Sequence, residues 1–255
     1  MLTLNKSDYK CVLPLFADVT NSKPVIFSVI ENNTDGTVSI DEKNKAIFVD
    51  DNINPQIALV VLHDIFFLKG ETNEAFCESI YNVIVNKILP SMEDEYFDFY
   101  CLSDNLRADV EKIFIPIIHD KLVRKTFTFD YDTFKQHNNW REKIPEGYEM
   151  NISTERFGVE LIRQGEVVSD CAAVFIGGGQ AEIAVGTNEK HRKKGYATLT
   201  CAAFIETCLS CGYLPNWTCW DYRKGSIVLA KKLGFKELSN DIVYLLKNNN
   251  LHRIK

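Results

Sequence analysis

A short basic loop, Arg192-Lys193-Lys194-Gly195-Tyr196-Ala197, sits where the apolar pattern changes from that of a strand to that of a helix. Upstream, Glu182 to Thr187 reads as a strand. Downstream, Ala197, Cys201, Phe204, Ile205 and Cys208 share one face of a helix expected from about Tyr196 to Cys211. Such a unit has the outline of an anion site. Gly195 lets the backbone approach a ligand closely, and the unpaired N–H groups of the first helical turn can donate to phosphate oxygens. Arg192, Lys193 and Lys194 add local positive charge that favours an anionic ligand. An R-x-x-G-x-A string alone is weak evidence, because charged turns before helices are common. Its context raises it: a further strand from Leu214 to Trp220 follows, then a helix from Gly225 to Leu233 that Gly234 ends.

The remaining elements of this region are antiparallel in character. Tyr148 to Ile152, Glu155 to Gln164 and Val167 to Ile176 alternate as strands, with Gly165 in one connection. Gly177-Gly178-Gly179 marks a turn, and Asp241 to Leu246 a final strand. The expected fold class is mixed α/β, an α+β arrangement.

At 255 residues two domains are expected. The segment QHNNWREKIPEG interrupts the apolar periodicity, so the boundary is placed near Pro145, dividing 1–140 from 146–255. In the first part, Lys23 to Ile30 and Lys45 to Val49 read as strands, and Gln56 to Leu68 as one longer buried strand ended by Gly70. A helix from about Asn73 to Leu89 carries Phe76, Ile80, Ile84 and Ile88 on one face, and Pro90 stops it. Glu95 to Leu102 is strand-like. Ser103 can cap a helix bearing Leu106, Val110 and Ile113 or Phe114, and Lys121 to Phe129 is another strand.

A net charge of −6 disfavours nucleic acid as a partner, since phosphate backbones are held by clustered Lys and Arg. The start, MLTLNKSDYK, does not read as a signal peptide, and no stretch approaches the roughly 18 apolar residues of a membrane span. Eight cysteines without a secretory signal are expected to be reduced thiols in the cytoplasm. Cys208 and Cys211 have CxxC spacing but no second pair beside them, and are read as small hydrophobes. His63, His119, His137, His191 and His252 are too scattered for a metal site.

The C-terminal region resembles the GNAT acyltransferase superfamily, whose diphosphate signature Q/R-x-x-G-x-G/A is met by Arg192, Gly195 and Ala197. The wider pattern AEIAVGTNEKHRKKGYAT, LPNWTCW and SIVLAKKLGFKE is similar to the subgroup that includes the zwittermicin A resistance acetyltransferases, over about residues 146–246. The resemblance implies acetyl-CoA as acyl donor, without a metal, in a V-shaped opening between two central parallel strands. Main-chain groups of Val185 and Thr187 would hold the pantetheine arm. The amides from Lys193 through Lys194, Gly195 and Tyr196 to Ala197 would meet the diphosphate, with Arg192 or nearby lysines at the adenosine phosphate and Ser226 as a further contact.

Acyl transfer needs a neutral amine, so a base or water relay is useful near neutral pH. Glu182 is the first candidate, because some family members carry a catalytic glutamate at its strand position. The same carboxylate could instead bind the substrate ammonium or make a structural bond. Arg223 and Ala230 stand where many family members have Asn and Tyr. Ala230 cannot protonate a departing thiolate, which leaves water, unassisted departure or another residue such as Tyr222. Trp217, Trp220 and Asp221 form an aromatic and acidic feature that either lines an acceptor pocket or places at least one indole in the core.

The element order of residues 23–129 resembles that of the C-terminal half, as in a degenerate second GNAT-like fold; an unrelated α/β domain is the alternative. Its corresponding loop, Leu68-Lys69-Gly70-Glu71-Thr72-Asn73, has neither signature nor basic cluster, so no CoA site is expected there. Substrate choice or a homodimer contact suits this domain in either case. The expected activity is acetyl transfer to an amine of a small molecule, of antibiotic or amino-polyol type by the resemblance. A non-catalytic CoA-binding regulator is the alternative.

Overall fold

The computed structural model describes residues 1–32, 45–71, 73–153 and 157–249. From the first half come strands β1 (Leu2–Thr3), β2 (Lys45–Val49), β3 (Ile57–Leu62), β4 (Ile65–Gly70), β5 (Tyr96–Cys101) and β6 (Ile118–Phe129). The second half supplies β7 (Tyr148–Ser153), β8 (Gly158–Arg163), β9 (Glu166–Gly177), β10 (Gln180–Thr187), β11 (Leu214–Trp220) and β12 (Phe235–Lys247). The helices are α1 (Leu13–Phe16), α2 (Pro24–Ile30), α3 (Glu74–Val83), α4 (Arg107–Phe114), α5 (Tyr131–His137), α6 (Tyr196–Ser210) and α7 (Lys224–Lys232).

Among the described residues these strands form one sheet, ordered β1-β2-β3-β4-β5-β12-β6-β11-β10-β9-β8-β7. Two neighbouring pairs, β4 with β5 and β10 with β11, are parallel, and the others are antiparallel. Each half lends its last strand to the other. β12, from the second half, lies between β5 and β6, while β6, from the first half, lies between β12 and β11. Separating the halves would therefore break three strand interfaces at once, β5 with β12, β12 with β6 and β6 with β11.

Side-chain alternation along β12 divides it among three cores. Phe235 joins the cluster under α6, which also holds Phe204 and Trp217. Tyr244 and Leu246 pack with Phe66, Phe97 and Phe99 beneath α3 and α4. Val243 faces the opposite way, into a cluster with Ile26, Val60 and Tyr100 against which Phe175 and Trp220 also pack. This third core joins the halves.

The fold class is the expected mixed α/β, but three local expectations are corrected. Residues from Pro24 to Ile30 form helix α2 rather than a strand. All seven are buried, so no polar face reveals the helical period, and Pro24 stands in the first turn, where its missing N–H costs nothing. The helix lies against the end of β9 so closely that a Cβ on Gly177 would stand 2.2 Å from the Ser28 nitrogen. The run from Gln56 to Leu68 is a hairpin, not one strand: β3 and β4 pair antiparallel about a turn in which His63 adopts a φ of 50°. Burial on both faces hid the turn. Ser103 does not cap the following helix, because its Oγ accepts from the Gly70 N–H at 3.0 Å.

Elsewhere the reading holds to within a few residues. α3 continues through a wide turn at Ile84–Ile88 into a tight turn containing Pro90. β12 begins at Phe235, earlier than Asp241, and the Glu155 start expected for β8 lies outside the described residues.

Candidate active site

The parallel strands β10 and β11 pair only at Gln180–Leu214, Ala181–Pro215 and Glu182–Asn216. Beyond that point they part, and the pairing of β10 with β9 shifts register between Ala181 and Ile183. The freed length of β10, with Trp217 and Thr218 of β11 opposite, walls a cleft of about 800 Å³ closed by the starts of α6 and α7. Strand edges in such an opening offer unpaired main-chain donors and acceptors to an extended ligand. Val185 and Thr187 line it.

At one end of the cleft is the basic loop. Lys193 and Gly195 take left-handed φ values of 62° and 83°, which turn the chain into α6. No side chain caps that helix; the Thr198 N–H donates to the Gly195 carbonyl at 3.0 Å, which leaves the Tyr196 and Ala197 N–H groups open to an anion. Arg192 braces the loop: its Nη1 is 3.0 Å from Glu189 Oε1, and its Nε donates to the Thr187 carbonyl at 3.3 Å. Lys193 and Lys194 are exposed, whereas Tyr196 is buried and donates its hydroxyl to that of Tyr148 at 2.8 Å. Arg192, Lys193, Gly195, Tyr196 and Ala197 line the cleft; Lys194 lines a neighbouring cavity instead. From α7, Ser226 faces the cleft while accepting from Trp217 Nε1 at 3.1 Å. Trp217 is both core and cleft wall, with 2% of its surface exposed.

Glu182 marks the apex where the strands part, and its carboxylate is buried. Its Oε1 accepts from Thr218 Oγ1 at 2.6 Å and stands 3.5 Å from Arg124 Nη2. Arg124 Nε in turn donates to Thr218 Oγ1 at 2.9 Å. Both recorded partners lie on Oε1. The carboxylate borders a space of about 40 Å³ between the halves, which Lys23, Phe67, Tyr100 and Arg124 also line, and Thr218 touches both this space and the cleft. Lys23 is buried with Nζ 2.7 Å from Asp241 Oδ2 and 2.9 Å from Thr126 Oγ1, so its charge is compensated. Asp98 of β5 has its carboxyl pushed up to about 6 by burial, with Arg124 opposing and the Asp64 carboxylate adding to the shift.

Arg124 and Thr218 were not singled out in the sequence. Thr218 sits two residues before Trp220 in a strand already read as such, so β10–β11 pairing would have brought it to notice. Arg124 carries no local signal, because only the strand exchange brings β6 to β11. Its guanidinium lies 5.1 Å above the Trp220 ring, which stacks on Tyr222 at 6.3 Å. Trp220 and Tyr222 therefore belong to the junction, outside the cleft, and Ala230 is fully buried.

No group of His, Cys, Asp and Glu suited to a metal occurs among the described residues; His252 lies outside them. All eight cysteines are free, with Cys208 buried and Cys211 exposed. No helix among the described residues is long and apolar enough to cross a membrane.

Residues 151–244 match the family model for GNAT acetyltransferase. The chain is 24% identical over 269 aligned positions to the uncharacterized N-acetyltransferase YdfB of Bacillus subtilis (strain 168), covering 94% of this chain and 97% of that protein. Its fold is similar to that of a GCN5-related N-acetyltransferase-like protein from Streptococcus suis 89/1591, with a TM-score of 0.66, 19% identity, and 94% and 99% of the two chains covered. A tandem GNAT protein from the clavulanic acid biosynthesis pathway is similar over 97% of this chain and 98% of its own, with a TM-score of 0.65 and 11% identity.

Proposed function

We propose that this chain, a member of the GNAT N-acetyltransferase superfamily, transfers acetyl from acetyl-CoA to an amine of a small molecule where β10 and β11 part. The observation that carries the reading is the shape of that parting. One end is an uncapped helix start beside exposed lysines, and beyond the other, across Thr218, a carboxylate held by Thr218 and Arg124 borders the small space between the halves. The cleft fits the donor: Val185 and Thr187 would meet the pantetheine arm, Lys193 to Ala197 the diphosphate, and Ser226 the opposite side. Bound there, acetyl-CoA supplies an acyl thioester.

The acceptor amine is an ammonium near neutral pH and must lose a proton before its nitrogen attacks. Glu182 is the residue proposed to take it, directly or through one water. Thr218 and Arg124 fix Oε1, which leaves Oε2 for the acceptor. As the new C–N bond forms and the C–S bond breaks, no proton can come from Ala230. A thiol of ordinary acidity departs into the open cleft as thiolate or takes its proton from water. Residues 1–140 and 146–255 are taken as two GNAT-like units, the first contributing Arg124, Lys23 and Tyr100 to the acceptor side. An antibiotic or amino-polyol acceptor rests on the resemblance of the C-terminal region to the zwittermicin A resistance enzymes.

Glu182→Gln tests the role. As the base, its loss lowers turnover about 100- to 10,000-fold, roughly 3–5 kcal/mol, with CoA affinity kept and the largest defect at low pH. Loss of acceptor affinity at unchanged saturated turnover makes Glu182 an ammonium anchor instead. CoA binding without thiol release across a panel of amines would make the chain a regulator.

A further inference from the structure

The space of about 40 Å³ between the halves is walled by side chains of both, and three of them carry a polar atom with no partner among the described residues. Both bonds of the Glu182 carboxylate fall on Oε1, so Oε2 is unbonded. Arg124 spends Nε on Thr218 and Nη2 on Glu182, which leaves Nη1. The Tyr100 hydroxyl makes no hydrogen bond, and none of these three atoms is sealed from solvent. Tyr100 and Glu182 are only 4% and 6% exposed; both line this space and neither lines the cleft. One acceptor and two donors therefore share one small room. Phe67 stacks on the Tyr100 ring at 4.7 Å between centroids, which fixes the phenol, and burial pushes its pKa well above the ordinary value, so it stays a donor.

Charge decides what fits beside these groups. Lys23, also in the wall, is matched by Asp241, so Arg124 is the cation whose partner matters. At rest Glu182 stands 3.5 Å from it. That balance ends when Glu182 takes the acceptor's proton, because the carboxylate becomes neutral and a largely buried guanidinium loses its counter-charge. Asp98 acts on Arg124 too, but no ion pair joins the two among the described residues. An acceptor that brings its own carboxylate replaces the lost charge and accepts from both donors. A hydroxyl answers the hydrogen bonds and leaves the charge unmatched.

We infer that the acceptor is a small α-amino acid, its amine at Glu182 Oε2 and its carboxylate held by Arg124 Nη1 and the Tyr100 hydroxyl. This rests on the transfer reading above and names the acceptor class. The space has room for roughly three water-sized groups, which suits an ammonium, the α-carbon and a carboxylate with a small side chain. In the step itself the ammonium gives one proton to Glu182, and the freed nitrogen bonds the acetyl carbonyl carbon. The C–S electron pair leaves on CoA, and the second proton of the nitrogen reaches that thiolate through water. The products are an N-acetyl amino acid and CoA, with the first proton released from Glu182 to solvent.

The test is thiol release from acetyl-CoA with L-alanine, L-alaninol and isopropylamine, three amines of one shape that carry a carboxylate, a hydroxyl and a methyl group, compared per free amine. L-alanine should exceed L-alaninol in kcat/KM by about 10- to 100-fold, with isopropylamine lowest, as expected for losing charge-assisted hydrogen bonds. Tyr100→Phe keeps the ring and removes one donor, so the preference for L-alanine over isopropylamine should narrow about tenfold; a preference left unchanged overturns the placement of the carboxylate. Turnover of L-alaninol or isopropylamine as efficient as that of L-alanine would overturn the acceptor class and leave the transfer reading standing. Release with none of the three but with some other amine would do the same. No release with any amine would sink the transfer reading as well.

Discussion

The two halves each carry a parallel strand pair followed by a loop and a helix, and only one of them opens. In the second half, β10 and β11 share three paired positions and then diverge. In the first, β4 and β5 stay paired from Ile65–Asp98 to Leu68–Cys101, and the Leu102 N–H donates to the Leu68 carbonyl at 2.8 Å. Phe66 against Phe97 and Phe67 against Tyr100 fill the space on either face. The helix starts differ in the same sense. Asn73 Oδ1 accepts from the Phe76 N–H at 3.0 Å and so uses a donor that an anion would need, whereas α6 begins at uncapped Gly195. On the proposed reading, binding capacity in this architecture is set by where the parallel pair stops and whether the helix start is left open.

The exchange of β6 and β12 sets a limit on treating the halves as separate, and breaking it should have the largest effect. Expressed alone, residues 1–145 lack the strand that fills the place between β5 and β6. We expect no cooperative urea transition for that fragment, with one restored when residues 146–255 are supplied in trans; a cooperative transition for the fragment alone would show the exchange to be dispensable.

The next effect sharpens the contrast at the helix starts. Ala197→Asp puts a carboxylate in the first turn of α6, where it suits the helix but opposes a bound diphosphate. CoA affinity should fall roughly 100-fold, about 2–3 kcal/mol, with the melting temperature held; unchanged affinity would place the diphosphate elsewhere.

At the closed pair, Asp98 provides a pH test. Its folded value of about 6 stands above the ordinary 3.8, so the folded chain holds an extra proton between those values and stability falls as pH rises through them. Asp98→Asn removes that loss, gaining on the order of 1–3 kcal/mol at pH 7 and almost nothing near pH 3. Chemical denaturation at both pH values reads it, and equal changes at the two would discount the titration. Smallest of all, Asn73→Ala uncaps α3 at a cost of about 1 kcal/mol, without creating a second CoA site, because β4 and β5 remain paired.

How much of this was legible follows from how local each signal is. The basic loop could be read because Gly195, its lysines and the strand and helix around it are contiguous in sequence. Helix α2 could not, since burial of every residue from Pro24 to Ile30 erases the difference between a period of two and one of 3.6. The β3–β4 turn was lost for the same reason: both faces of the hairpin are apolar. Glu182 is proposed only through the resemblance, as the strand position where some family members carry a catalytic glutamate, and its partner Arg124 comes from 58 positions away by strand exchange, a long-range pairing that no local pattern records. Asn138 and Trp140 read only as linker, because the burial of Trp140 and the bond from Asn138 to Glu206 of α6 exist only once the connector is seated against that helix.

The central claim is that one half binds CoA and the other is closed to it. Calorimetric titration of the full chain with CoA, joined to hydrogen exchange on the same sample, tests this most directly. The account predicts one equivalent bound per chain, with slowed exchange at Lys193 to Leu199 and none at Asn73 to Cys77. Two equivalents, or protection at the start of α3, would contradict it.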